Sequence, residues 1–242
     1  GIETVAVYSD EDAPTVKGLE KSFVIPLNFA GMDAPVLFDC GMQAWHTFVL
    51  YLSVCEDCNM STAPKGFRFA TACAGFRKEG RADLALLVSD VPAVAAGTFT
   101  QNRFPAAPVL VAKAMLPERP AARAVVINSG QANACTGDEG MRNCRTTQEL
   151  VAGALGLEAS DILPASTGVI GAQLKMDLWE KAAPALAANL GKATPEDFAR
   201  AIMTTDAFHK ISHREVSLPG GVVKLVGMAK GAGMICPNMA TM

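Results

Sequence analysis

An α/β fold is what this sequence predicts, on three observations. From about residue 60 onward, apolar runs of strand length alternate with stretches whose apolar residues recur at helical spacing. Those helical stretches carry readable ends, a Thr-Pro-Glu-Asp start and glycines where two of them should stop. Half of the 242 residues are apolar and 19% are charged, which suits a folded chain with a sizeable core, in one large domain or two smaller ones.

Taken in order, residues 2–8 read as a strand that ends at the turn-forming Ser9-Asp10-Glu11-Asp12, and 22–29 and 36–38 are further apolar stretches. Composition shifts near residue 60. Both tyrosines, Tyr8 and Tyr51, lie before it, and the chain after it is richer in Ala and Gly. Two units are therefore expected, an N-terminal segment 1–59 with no assigned function and a main unit 60–242. In the main unit, 84–88 and 94–99 read as short strands joined by a turn at Asp90-Val91-Pro92. Residues 109–112 and 124–127 read as buried strands, and 128–140, rich in Gly, Asn, Ser and Thr, as a loop.

A helix over 141–155 should stop at Gly156. Asp177 is expected to cap a second helix with Leu178, Ala182, Leu186 and Leu190 on one face, ended by Gly191. Thr194-Pro195-Glu196-Asp197 opens a third: a capping hydroxyl, Pro at the first helical position, then acids facing the positive end of the helix dipole. The last strand is expected at 222–226, entered through Pro219-Gly220-Gly221.

Charge and cysteine usage narrow the function classes. Net charge is −3, with 21 basic against 24 acidic residues and no basic cluster, so a nucleic-acid partner is not expected. The strongest apolar run, 48–54, is too short for a membrane span, and residues 1–20 lack an Arg-rich amphipathic face, so neither membrane nor targeting segment is expected. Seven scattered cysteines suit reduced thiols in a cytoplasm better than a secreted disulfide framework. Cys55-Glu-Asp-Cys58 has no second pair to complete a zinc site. His46 stands alone, and His209 and His213, four apart, lack a third ligand, so no metal is expected.

The most informative stretch is the last: Gly227-Met228-Ala229-Lys230-Gly231-Ala232-Gly233-Met234-Ile235-Cys236-Pro237-Asn238-Met239-Ala240-Thr241-Met242. It follows a strand and ends on a small residue before a hydroxyl residue, a pattern suited to intramolecular peptide cleavage. Glycines allow the backbone N–H groups to approach a developing oxyanion, and Ala240 presents an unhindered carbonyl to Thr241 Oγ. Opening the resulting ester with water leaves Thr241 as a first residue. Its free α-amine, with a pKa of about 7.7–8.0, then lies close enough to take the hydroxyl proton.

This stretch resembles the autoprocessing signature of the ornithine acetyltransferase (glutamate N-acetyltransferase) family, and further blocks agree in order. They are Pro64-Lys65-Gly66-Phe67 with Ala74-Gly75 and Asp83-Leu84-Ala85; Asn128-Ser129-Gly130-Gln131-Ala132-Asn133-Ala134-Cys135-Thr136-Gly137; Ser166-Thr167-Gly168-Val169-Ile170-Gly171; and Thr204-Thr205-Asp206. The resemblance implies a layered αββα sandwich of the N-terminal-nucleophile-like type. It implies cleavage between Ala240 and Thr241, Thr241 as nucleophile, Thr167 and Gly168 as the oxyanion hole, and Thr204 and Lys230 as substrate-binding residues. The implied reaction moves an acetyl group from N-acetylornithine to glutamate through an acetyl-threonine intermediate, in arginine biosynthesis. No cofactor is implied, although some members take acetyl-CoA as a substrate.

Family precursors continue past the cleavage point. On that comparison residues 60–242 are the α-chain region, active only with the β chain of the same precursor in an α2β2 heterotetramer. Two other readings keep the same residues. One is an N-terminal-nucleophile aminopeptidase or amidase, which hydrolyses instead of transferring; the other is a truncated, non-catalytic remnant.

Overall fold

The structure, a computed structural model, describes residues 63–77, 80–97, 99–100, 103–218 and 221–232, together with the backbone of four earlier strands. Those four are β1 (Val5–Ala6), β2 (Ser22–Phe29), β3 (Met32–Asp39) and β4 (Val49–Val54). The main unit follows as β5 (Phe67–Ala72), β6 (Leu84–Ala95), α1 (Ala107–Glu118), β7 (Ala121–Gln131), α2 (Gly137–Leu155), β8 (Ile162–Val169), α3 (Met176–Ala188), α4 (Pro195–Ala201), β9 (Lys210–Leu218) and β10 (Gly221–Ala229). Cys55, Cys58, His46, Ala240 and Thr241 lie outside the described residues.

The central sheet runs β1-β6-β7-β8, with β5 also paired to β6. β6 runs antiparallel to both β5 and β7, whereas β7 and β8 run parallel and are joined through α2. Parallel neighbours need such a crossover, because a tight turn cannot reverse the chain twice. A second sheet, β4-β10-β9, is antiparallel throughout, and β2 pairs with β3 alone.

Each face of the central sheet buries its own core. On one face Leu84, Leu86, Val88, Ala124 and Val126 meet Val151 and Ala152 of α2 and Trp179, Ala182 and Leu186 of α3. On the other, Phe67, Phe69, Ala85, Leu87 and Ile127 meet Phe198 and Ile202 from and after α4, and Val226 and Met228 of β10. The period-2 alternation of 84–88 thus feeds two cores at once, which is how a strand between helices and a second sheet is stabilised. Phe69 and Phe198 anchor the second core edge-to-face, with ring centroids 5.8 Å apart at 80°. The helical layer, central sheet and second sheet form the layered α/β architecture expected from the sequence.

Several local readings are corrected. Residues 109–112 are helical, within α1, not a strand: Pro108 occupies its first turn, and Val109 and Val111 are buried while Leu110 is exposed. Residues 84–95 are one strand, not two. Asp90-Val91-Pro92 sits at a register shift against β7 between Val88 and Ala93, where Pro costs no ladder bond. Arg123 fills that gap, donating to the carbonyls of Ser89 and Asp90 at 2.9 Å each.

β7 extends through Gln131, so the expected loop starts four residues late, and α2 begins at Gly137 rather than 141. Asp177 lies in the first turn of α3, whose cap position is Lys175. The Thr194 start is as read: Thr194 Oγ1 accepts from the Asp197 N–H at 3.1 Å, and the Asp197 carboxylate accepts from the Thr194 N–H at 2.9 Å.

Candidate active site

The site gathers at the C-terminal ends of β7, β8 and β10. Parallel pairing sets Ser129 opposite Thr167 and Gly130 opposite Gly168. Thr167 and Gly168 lie in the last residues of β8. Gly168 has φ +138°, and a Cβ there would collide with the backbone of Gly130 and Gln131. Gly130, at φ +122°, would set its own Cβ 2.8 Å from the Phe76 carbonyl oxygen. Glycine is required at both positions because two backbones close upon each other.

Buried polar groups behind these residues hold the strand ends. Asn128 Nδ2 donates to the Gln131 carbonyl at 2.8 Å, and its Oδ1 accepts from Ser166 Oγ at 2.6 Å. Ser129 Oγ donates to the Ala201 carbonyl at 2.7 Å, tying β7 to α4. Most of the Asn128–Gly137 motif therefore supports the site's frame by hydrogen bonding inward.

Lys230 leaves the end of β10 and brings two distant threonines together. Its Nζ donates to Thr167 Oγ1 at 2.8 Å and to Thr204 Oγ1 at 2.6 Å. An ammonium has no lone pair to accept with, so each threonine oxygen is an acceptor here and each hydroxyl proton points away from Lys230. Of the sequence-expected residues, Thr167, Gly168, Thr204 and Lys230 are thus assembled in one place.

Two residues to which sequence reasoning gave no role belong to the same cluster. The Asp206 side chain is fully buried; its Oδ1 accepts from Lys210 Nζ at 2.6 Å and from the Gly231 N–H at 2.7 Å, and its Oδ2 from the Thr204 N–H at 3.0 Å. Burial opposes ionisation, but the Lys210 hydrogen bond, the Gly231 and Thr204 N–H groups and nearby Lys230 outweigh it, holding the carboxyl at about 2. Arg77, in the loop after β5, donates to the carbonyls of Met203 and Thr204, the latter at 2.9 Å. The backbone of that loop is held by Asp83, whose carboxylate accepts from the N–H groups of Ala74, Gly75 and Arg77.

Lys230 itself is depressed below the ordinary lysine range, first by burial, with Asp206 opposing and Lys210 and Arg77 adding to the effect. The charged surroundings are net positive, which favours an anionic ligand or a developing oxyanion. Asp206 had two sequence signals, its place in the Thr204-Thr205-Asp206 block and a lysine four residues on; Arg77 had none.

His213 lies in β9, where residues four apart do not share a helix face, and its Nε2 is 3.4 Å from Glu196 Oε1. Among the described residues no group of three or more His, Cys, Asp or Glu side chains is placed to hold a metal ion. No described helix is long and apolar enough to cross a membrane.

Frame and cluster together define a layered α/β protein with a hydroxyl–ammonium–carboxylate cluster at its strand ends. The comparisons give the family. A model of the ArgJ family matches residues 68–242. The arginine biosynthesis bifunctional protein ArgJ of Nitratidesulfovibrio vulgaris is 72% identical over 183 residues, covering 76% of this chain and 47% of that protein. Its counterpart in Geobacter sulfurreducens is 50% identical over 181 residues, 74% of this chain and 45% of that protein. Among solved structures, ArgJ of Bacillus halodurans superposes with a TM-score of 0.69 at 32% identity, over 78% of this chain and 97% of that one. Ornithine acetyltransferase of Mycobacterium tuberculosis, crystallised with ornithine, gives 0.66 at 35% identity, over 79% and 98%. This chain belongs to the ArgJ family. It spans about half the length of the curated relatives it matches.

Proposed function

We propose that the protein carrying this chain is a glutamate N-acetyltransferase of arginine biosynthesis, moving acetyl from N-acetylornithine to glutamate. One observation carries the reading: Lys230 Nζ bridges Thr167 and Thr204, so an oxyanion donor and two substrate contacts share one point. Lys230 and Gly231 also lead directly into the segment that ends at Ala240-Thr241.

In the proposed sequence, Thr241 Oγ attacks the Ala240 carbonyl, the C–N bond breaks to leave an ester and a free amine on Thr241, and water then cleaves the ester, releasing a carboxylate on Ala240 and the Thr241 hydroxyl. That amine then takes the Thr241 hydroxyl proton as Oγ attacks the acetyl carbonyl of N-acetylornithine. The tetrahedral oxyanion is met by the Thr167 hydroxyl and the Gly168 N–H. The amide C–N bond breaks, ornithine leaves with the proton, and the amine of glutamate takes the acetyl from the Thr241 ester. Lys230 and Thr204 hold the amino-acid part, the ammonium pairing with its carboxylate. Acetyl-CoA is a second candidate donor, and no cofactor takes part.

The partner is the β chain of the same precursor, in a cytoplasmic α2β2 assembly. The coverage supports this division: the aligned region fills 97% and 98% of the solved chains yet 47% and 45% of the curated proteins. The names of the relatives favour transfer over the amidase reading and over a non-catalytic remnant.

The test is the full-length precursor, followed by intact mass and by ornithine release. Wild type should yield two chains, the second beginning at Thr241, and should release ornithine faster with glutamate than with water alone. Thr241→Ala should remain one chain. A wild-type precursor that stays uncut, or that hydrolyses N-acetylornithine as fast without glutamate, sinks the proposal.

A further inference from the structure

We propose that Asp206 is a positioning residue, its carboxylate binding the Lys230-Gly231 strand end and the Thr204 loop into one unit that directs the Thr167 hydroxyl. This deepens the reading above and rests on it.

A fully buried carboxylate is retained only where its charge and lone pairs are met. Asp206 meets them with groups from three separate places: Thr204 in the loop after α4, Lys210 at the start of β9, and Gly231 after the end of β10. Two of these are backbone N–H groups of the site segments themselves. Gly231 adopts φ +147°, so the bond from its N–H fixes a peptide in a conformation that side chains resist. The Lys230 ammonium lies 4.0 Å from Asp206 Oδ2, an attraction that leaves its hydrogen bonds to the two threonines intact.

The consequence falls on Thr167. While Lys230 is an ammonium, the Thr167 oxygen must accept from it, and the only hydroxyl proton is directed elsewhere, available to an oxyanion. A neutral lysine amine accepts hydrogen bonds, and Thr167 could then spend its proton on Nζ. The charged groups facing Lys230 are Asp206, Lys210 and Arg77, and of these only Asp206 favours the ammonium. Without its carboxylate, a buried lysine is left between two cations.

The experiment uses full-length, self-processed enzyme and measures kcat and KM for N-acetylornithine against pH. Asp206→Asn keeps the shape but offers one acceptor oxygen to three N–H donors. It should lower kcat about tenfold or more, from misplacement of the donors. It should also move the basic limb of kcat/KM to lower pH by about one unit, since the lysine loses its counter-charge. Lys210→Met removes a like charge from Lys230 and should move the same limb to higher pH.

Opposite displacements in the two variants are what a purely structural clamp does not produce. Folded Asp206→Asn with wild-type kcat and an unmoved limb overturns the proposal, as do limbs that move the same way in both variants. If Asp206→Asn does not fold, Lys210→Met decides: an upward displacement supports the role, and none, or a downward one, overturns it. An inactive, uncut wild type removes the functional reading and this one with it, whereas an active wild type with unmoved limbs removes only this one.

Discussion

Replacing Gly168 with alanine tests how tightly the strand ends must close to form the site. Two costs follow from the geometry. The φ of +138° lies where side chains are disfavoured, a cost of about 1–3 kcal/mol. The new Cβ would overlap Gly130 and Gln131 backbone atoms in the paired strand, which have no rotamer to escape into. Separating β7 from β8 to relieve that overlap costs about 1–3 kcal/mol more. Alanine recovers about 0.4–1 kcal/mol by restricting the unfolded chain. The net expectation is a loss of about 1–5.6 kcal/mol from a total that is typically about 5–15.

Urea unfolding of the full-length protein reads this directly, as a lower midpoint at unchanged slope. Gly171→Ala is the control, because Gly171 has φ +84° but nothing within 4 Å of its added Cβ. It should lose only about 1 kcal/mol, from the backbone alone. Equal losses in the two variants, or a Gly168→Ala protein within about 0.5 kcal/mol of wild type, would refute the argument from close approach. On the proposed mechanism, the same displacement should move the Gly168 N–H away from the Thr167 hydroxyl, so acetyl transfer should fall along with stability.

Two further outcomes are expected from features away from the site. Thr194→Ala removes one half of a capping box in which the hydroxyl also donates to Asp197 Oδ2 at 2.8 Å; it should cost about 0.5–2 kcal/mol in thermal or urea unfolding, and Thr194→Ser should restore most of it. The Cys144 thiol is pushed up to about 12 by burial, against the pull of Arg145, so peptide mapping after iodoacetamide at neutral pH should find the exposed Cys73 and Cys135 alkylated first and Cys144 only after unfolding.

Where the fold was legible, short-range chemistry fixed it. The Thr194 start, the Gly156 stop and the apolar run at 84–88 each depend on residues within one turn or one strand of each other. The errors have a common cause. The run 109–112 has strand-like branched residues, but packing against α2 and β8 holds it as helix, and a weak propensity yields to burial. β8 escaped notice because Pro164 and Gly168 interrupt its apolar run, although its pairing with β7 suffices to make it a strand. β9 escaped notice because most of its residues are polar, and its pairing with β10 along its whole length makes it a strand.

The sequence by itself supplied the chemical parts: an Ala240-Thr241 junction, a Thr-Gly pair, a lysine followed by glycine, and a resemblance from which their roles are proposed. Only the tertiary structure decided that Lys230 would reach Thr167, 63 residues away, and Thr204, 26 residues away. It alone placed the Asp206 carboxylate on the N–H groups of Thr204 and Gly231 and on Lys210. The physical reason is that sheet register and the two cores on either side of it set these distances. Neither is encoded in any one segment, because both arise from burial shared between strands far apart in the chain.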